Sequence, residues 1–590
     1  MLNKQIKFGI IQKVKIRMYS HYLIKINILS PFLALYLQIV TRSKYQQMNL
    51  RRLLYVFAIG LTPVLGNAQD HKSVPENWFN LDYEKDGVLG ISTEKTYESL
   101  LKGKKSTPVI VAVLDGGVDV NHEDLKNVVW INVKDSLSNG IDNDKNGFIN
   151  DRYGWNFIGN AKGENVQFDN LELTRLLRKD APKYSGVTAA TVLTDQEKIA
   201  YNAYLKMVAT YNEKLDDAKY GAMNYVALKE NIDNLVKGIN KDKSQITTAD
   251  LDSLNPAGNR QKIAIRIAKE EIEKAGGFAK FYQDLKEGAD YFGNQIAYHL
   301  NKDYDTRSIV GDNYEDASEY HYGNPDVTGP DALHGTHVAG IIAADRTNTI
   351  GIKGVADNVK ILSVRLVPDG DERDKDVANG IRYAVDNGAK VINMSFGKSY
   401  TYNKQTVDQA VQYAMSKDVL LVHAAGNDSE NNDRSPNYPN KFFTDSVGAI
   451  SGVADAWITV GATGPRKDEE LLASFSNYGK TSVDVFAPGL YINSTTPHSE
   501  YKEEQGTSMA APVVAGLAAM LRSYYPALTA LETKEIIMNS VTKLEDTVRI
   551  KLEDGSFKTV KLSDISLSGG IVNAYSAVEK ANEYITKKKK

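Results

Sequence analysis

An acid, a histidine and a serine stand in three short settings that together could activate a nucleophile. Asp115 ends the apolar run 109–114 and precedes Gly116-Gly117. An acid at the end of a buried strand, just before a glycine turn, can be held rigidly by backbone donors. His334 opens the stretch His334-Gly335-Thr336-His337-Val338-Ala339-Gly340, which continues into Ile341-Ile342-Ala343-Ala344. These small and apolar residues predict a buried helix with His334 at its N-terminal end, where the helix dipole disfavours an imidazolium. A nearby carboxylate would oppose that effect and fix the ring tautomer. Ser508 lies in Gly506-Thr507-Ser508-Met509-Ala510-Ala511-Pro512. It opens an apolar helix whose first turn is expected to tolerate Pro512, and the free N–H groups of that turn can stabilise an anion. Asn427 closes Ala424-Ala425-Gly426-Asn427, where its side chain could donate to a developing oxyanion. Each residue also has a plain structural role open to it: turn acid, satisfied histidine, helix cap or turn asparagine. For His337 the structural role is preferred.

Such residues need a frame. Continuous apolar runs at 109–114, 359–364, 390–394, 419–422 and 458–460 read as strands buried on both faces. Helical patterns at 376–387 and 406–416 alternate with them. The alternation predicts an α/β fold, a parallel sheet with helices on both faces. In such sheets functional residues gather beyond the C-terminal strand ends, where Asp115 and Asn427 fall. Residues from about 160 to 305 interrupt the pattern. Thr194-Asp195-Gln196-Glu197 has the form of a capping box, and Tyr201, Tyr204, Leu205, Val208, Tyr211 and Leu215 follow at helical spacing. Further helical patterns cover 225–239, 261–274 and 278–300, the last two separated by Gly276-Gly277. A helical insertion is expected, its tyrosine stripe serving packing or contact with a protein partner.

Taken together, the four motifs resemble the subtilisin family, the subtilases. The resemblance runs from about 108 to 581, apart from the insertion. It implies a subtilisin-like sheet and a serine endopeptidase acting on polypeptides, with Asp115, His334 and Ser508 as catalytic triad and Asn427 in the oxyanion hole. By the same resemblance Ser395-Phe396-Gly397 is a strand that binds substrate backbone, and Pro436-Asn437-Tyr438-Pro439-Asn440 borders the primary specificity pocket, with Asn437 narrowing it. The chemistry so implied needs no cofactor. Two departures stand out. Asp115 and His334 are 219 positions apart, far more than in compact subtilases. Residues 69–107 are also too few for the inhibitory prodomain that many members carry, so the chain folds without one or the insertion stands in.

The 590 residues carry a net charge of −3 and are 42% hydrophobic and 25% charged. That balance gives no global reason to expect nucleic acid as a partner. The absence of cysteine excludes disulfides, thiolate nucleophiles and Cys-based zinc sites. Calcium is a separate expectation. Asp142-Asn143-Asp144-Lys145-Asn146-Gly147 places oxygen donors at alternate positions before a glycine turn, with Asp142, Asp144 and Asn146 as candidate ligands. The twelfth position holds Tyr153 rather than a bidentate Glu, and an Asx-rich turn is the competing reading.

Met48-Asn49-Leu50-Arg51-Arg52, the apolar run 53–65 and Gly66-Asn67-Ala68 form a signal-peptide pattern cleaved after Ala68. It predicts a secreted or periplasmic protein with no stable membrane span after cleavage. Residues 1–47 precede this complete unit, and a start codon assigned too early is the preferred account. The expected organisation is an N-terminal extension and signal peptide at 1–68 (the signal at 48–68), a segment at 69–107, a peptidase domain at 108–585 broken by the insertion, and a basic tail at 586–590. Two other function classes fit less well. One is a catalytically silent binding or adhesion protein on the same scaffold. The other is an esterase or amidase of small molecules, for which the Gly-x-Ser-x-Gly elbow is missing around Ser508.

Overall fold

A computed structural model describes residues 74–588, apart from Ser136, Ser138, Ala189, Ala190 and Ser446. The signal-like segment lies outside the described residues. Among the described residues no helix is long and apolar enough to cross a membrane.

The five apolar runs form the centre of a parallel sheet as predicted, and four further strands extend it. Its strands are β1 (Val109–Asp115), β2 (Gly154–Asn156), β3 (Val359–Arg365), β4 (Val391–Met394), β5 (Leu420–Ala424), β6 (Trp457–Thr463), β7 (Val485–Pro488), β8 (Thr542–Lys543) and β9 (Gly570–Ile571). They lie in the order β8-β9-β7-β6-β5-β4-β1-β3-β2. All neighbours are parallel except β8 and β9. β4, β5 and β6 are buried along their whole length, as parallel strands covered on both faces must be. The order puts β1, β4 and β5 side by side at the centre, so Asp115, Ser395 and the 425–427 turn leave the sheet at one end.

The insertion begins with α1 (Glu172–Tyr184), continues through α2 (Asp195–Val236) and α3 (Asn259–Ala275), and returns along α4 (Phe278–Asn294). The capping box is present: Glu197 N donates to Thr194 Oγ1 at 3.3 Å and Thr194 N to Glu197 Oε2 at 2.8 Å. Two expected helices are in fact one. The patterns starting at 201 and 225 lie on a single helix of 42 residues. Gly221 does not break it, because bare backbone there lets Phe292 of α4 pack against it; a Cβ would lie 2.3 Å from that ring. The tyrosine stripe is only partly core. Tyr211 is buried and donates to Leu300 O at 2.7 Å, whereas Leu205 is exposed. The far end of the insertion has its own apolar cluster around Ile232, Leu251, Ala268, Phe278 and Leu285.

The remaining helices of interest are α5 (Leu333–Ala343), α6 (Asp374–Asp386), α7 (Lys404–Ser416) and α8 (Thr507–Tyr524). α8 is buried on almost every side, which accounts for its apolar composition around the full turn.

Residues 74–107 are part of this core. Trp78 and Phe79 have no exposed surface and belong to the main apolar cluster with α5 and α8. The Trp78 indole donates to Leu490 O at 3.2 Å and Tyr491 O at 2.9 Å. Ala574 N donates to Ile91 O at 2.7 Å, tying the segment to the C-terminal end. A segment bound in this way is structural. Trp78→Ala is expected to destabilise the protein by about 3–5 kcal/mol, read as a lowered denaturant midpoint; a change below about 1 kcal/mol would show that the segment is peripheral.

Candidate active site

Asp115 is buried at the end of β1. Its carbonyl accepts from Leu366 N and Val367 N, and its Oδ1 from Gly116 N at 2.7 Å. Arg365, buried at the end of β3, donates from Nε to Gly116 O at 2.8 Å and so holds the turn from beneath. His334 is the second residue of α5. Its Nδ1 lies 2.8 Å from Asp115 Oδ1 and 3.0 Å from Oδ2. Helix and strand come this close because Gly335 has no side chain: a Cβ there would lie 2.2 Å from Gly117 O and 3.0 Å from Asp115 Cβ. With Nδ1 engaged, Nε2 is the ring atom left for substrate. Burial lowers the His334 pKa, but the Asp115 carboxylate outweighs it, with smaller help from Glu504 and Asp331, and the value rises above the ordinary one. His337 is the structural histidine expected. It is buried, its Nε2 meets Lys502 O at 3.0 Å, and burial holds its pKa down to about 4.

Ser508 is the second residue of α8, whose N-cap is Gly506. Pro512 corrects the sequence reading: it lies beyond the first turn, inside the helix. A proline there removes the N–H that would bond to the carbonyl four residues earlier, which is that of Ser508. Ser395 Oγ donates to that free carbonyl at 2.8 Å. In return Ser508 Oγ donates to Ser395 O at 3.0 Å. The two serines interlock, and among the described residues no hydrogen bond joins Ser508 to His334.

Asn427 is anchored through its oxygen, which accepts from Thr507 N and Thr507 Oγ1, both at 2.9 Å. Its amide nitrogen is therefore the end left to donate. A Cβ on Gly506 would stand 3.6 Å from Asn427 Nδ2 and 3.5 Å from Ser508 N, so the two donors flank one small space. Gly397 is exposed at the end of the β4 extension. Asn437 packs against Gly397 and donates from Nδ2 to Ala424 O at 3.3 Å and Ala425 O at 3.2 Å. It thus fills space between the β4 and β5 ends.

The calcium candidates separate. Asp142 accepts from Gly147 N at 2.8 Å and Asn146 N at 3.2 Å, closing its own turn. Asn146 turns its oxygen to Phe148 N and its amide to Asp151 at 2.9 Å. Asp144 instead meets Asp135 and Asp151, with ligand oxygens all within 4.8 Å of one another. Sequence reading missed these two acids because they flank the loop rather than lie in its alternation. It also missed Glu172 and Lys398, for which no local signal exists.

The raised His334 pKa has a direct check. NMR titration should place it above the usual value of about 6.5. Asp115→Asn should bring it down, since the same burial remains while the opposing charge is gone; an unchanged value would mean that Asp115 does not govern the ring.

A sequence profile described as the Subtilase family matches residues 106–555. The chain is 41% identical over 216 residues to a thermophilic serine proteinase of Bacillus sp. (strain AK1), covering 36% of this chain and 48% of that one. It is 38% identical over 247 residues to thermitase of Thermoactinomyces vulgaris, covering 42% and 75%. It is also 38% identical over 218 residues to subtilisin DY of Bacillus licheniformis, covering 36% and 72%. The chain thus spans about half the length of the first of these relatives and about three quarters of the other two. The matched span contains every strand of the sheet but β9 and runs from before Asp115 to beyond Ser508, and on that ground the chain belongs to the subtilase family.

Proposed function

We propose that the protein is a secreted serine endopeptidase with Asp115, His334 and Ser508 as its triad, carried by a peptidase unit at 108–585 that the insertion at about 160–305 interrupts. The observation that carries this reading is the two-oxygen contact of Asp115 with His334 Nδ1 at 2.8 and 3.0 Å, which leaves Nε2 free to take a proton. A peptide adds as an extended strand to Ser395-Phe396-Gly397. Ser508 Oγ leaves Ser395 O, gives its proton to His334 Nε2 and attacks the peptide carbonyl. Asp115 stabilises the resulting imidazolium. Asn427 Nδ2 and Ser508 N–H receive the oxyanion. His334 then protonates the leaving amine, and water hydrolyses the acyl-enzyme by the same steps in reverse. Asn437 narrows the pocket for the side chain before the cleaved bond, favouring small residues. The pattern at 48–68 supports export.

One observation favours a catalytically silent binding protein: the Ser508 hydroxyl is bonded to Ser395 O. A fluorescent fluorophosphonate and unfolded casein decide between the two. Labelling and cleavage that vanish together in Ser508→Ala establish the peptidase; a folded wild-type chain that does neither establishes the silent protein. Asn427→Ala should lower kcat by about 10²–10³, the cost measured for one oxyanion donor in subtilisin itself.

Calcium fits the acids that converge beside the loop. Burial raises the Asp151 pKa, although Tyr383, Asn146 and Asn132 donate to it, and neighbouring Asp144 adds to the rise. Among the described residues no salt bridge reaches Asp135, Asp144 or Asp151. Uncompensated carboxylates are hard donors of the kind calcium takes. Bound there, the ion would supply structure and no step of the chemistry. At 100 times its Kd, calcium should stabilise the protein by about 2.7 kcal/mol, and Asp144→Asn with Asp151→Asn should remove the response. Titration calorimetry giving neither heat nor a thermal shift would dismiss the site.

A further inference from the structure

The strand Ser395-Phe396-Gly397 is held at both ends. At one end Ser395 is interlocked with Ser508. At the other, Lys398 sends a fully buried side chain away from the strand edge. Its Nζ lies 2.7 Å from Glu172 Oε2, 2.7 Å from Glu372 O and 2.7 Å from Asp374 Oδ1. Its backbone is also fixed: Lys398 N donates to Tyr438 O at 2.9 Å and Tyr438 N to Lys398 O at 2.8 Å. Between these two anchors lie Phe396, which is buried, and Gly397, which is exposed.

One of the two carboxylates that receive Lys398 comes from the insertion, the other from the start of α6. Glu172 is the first residue of α1. Its backbone N–H donates to Asp371 Oδ2 at 2.7 Å, and its carboxylate is clamped by Arg175 at 2.8 and 3.2 Å. Burial pushes the Glu172 carboxyl up, but Arg175 and Lys398 outweigh it and hold it at about 2. The chain leading into α1 is paired in turn with the segment after β3. Asp369 N donates to Gln167 O at 2.7 Å and Asp169 N to Asp369 O at 2.9 Å. The first turn of the insertion is therefore continuous with both this segment and the β4 extension.

We infer that Glu172 and Lys398 are positioning residues for substrate: through this buried pair the insertion fixes the Ser395–Gly397 edge against Ser508, so that it governs the binding of extended peptides rather than the reactivity of the nucleophile. The proposal rests on the serine peptidase reading. The physical reason is that Lys398 is held between two buried carboxylates, Glu172 of the insertion and Asp374 of α6; without the Glu172 charge it is held by Asp374 alone, and the end of the strand shifts towards that remaining partner. A shift of about 1 Å in a positioning element can cost about 10²-fold in rate.

The test compares two probes on the full chain and on the variants Glu172→Gln and Lys398→Met. Fluorophosphonate labelling needs the nucleophile and little of the strand edge. A tetra-alanyl p-nitroanilide needs the whole edge. Both variants should lose about 10-fold to 10²-fold in kcat/KM on the anilide, mainly through KM, while the labelling rate falls far less. Glu172→Gln preserves shape and decides the matter if Lys398→Met does not fold. Equal loss on both probes, or no loss on either, overturns the proposal and leaves the peptidase reading intact. A wild-type chain that neither labels nor cleaves overturns both.

Discussion

A parallel sheet covered on both faces leaves only its strand ends for chemistry, and that constraint organises the molecule. Backbone groups along β1, β4 and β5 are consumed in pairing, and their side chains are consumed in packing. The chain must turn at each strand end, and there polar groups become available. Asp115 is one such end, Ser395 a second, and the turn before Asn427 a third. The helices α5 and α8 bring His334 and Ser508 to the same rim by their first turns. First-turn N–H groups have no partner within their own helix; Leu333 N is met by Asp331 and Thr507 N by Asn427, while Ser508 N borders the same small space as Asn427 Nδ2.

The interlock of Ser395 and Ser508 shows how one departure from regularity is used. Pro512 removes a helical hydrogen bond inside a buried helix, which would ordinarily orphan the Ser508 carbonyl. Ser395 Oγ satisfies that carbonyl and so ties the β4 extension to the first turn of α8. The hydroxyl of Ser508 completes the exchange.

The insertion's link to Lys398 runs through charge, beside an apolar contact of Tyr400 with the cluster of Leu173, Leu177 and Tyr211. Carboxylates outnumber cations around that link. Arg175, Arg373 and Lys398 face Asp169, Glu172 and Asp374, while Asp371 and Glu372 crowd the same space. Burial drives the Glu372 carboxyl up to about 8 from an ordinary value of 4.5, and its Oε1 has no hydrogen-bond partner. A carboxyl raised in the folded state binds a proton on folding. Its contribution therefore falls as pH rises from about 4.5 towards 8. Such a network is costly, and its geometry is specific in a way that an apolar contact would not be. The N-terminal segment is joined by the opposite means, with Trp78 and Phe79 sealed into the main core.

The sequence by itself determined the five central strands of the sheet, because strands buried on both faces must be continuously apolar, and the runs at 109–114 and 359–364 fall within one residue of β1 and β3; the four outer strands, short or mixed in composition, carry no such run. It also showed the local form around Asp115, His334, Ser508 and Asn427, strand end or helix start, while their grouping into one site came from the resemblance of the four motifs to the subtilases. The capping box at Thr194 was likewise legible as local form. Only the tertiary structure decided what depends on distant partners. It joined the patterns at 201 and 225 into one helix by packing Phe292 on Gly221, and it placed Pro512 over a carbonyl that Ser395 could satisfy. It set Asp135 and Asp151 beside Asp144 and buried Lys398 under Glu172, 226 positions away in the chain. Periodicity and local motifs report how a residue meets its own element, whereas the pairing of buried charges is fixed by which surfaces the folded chain brings together.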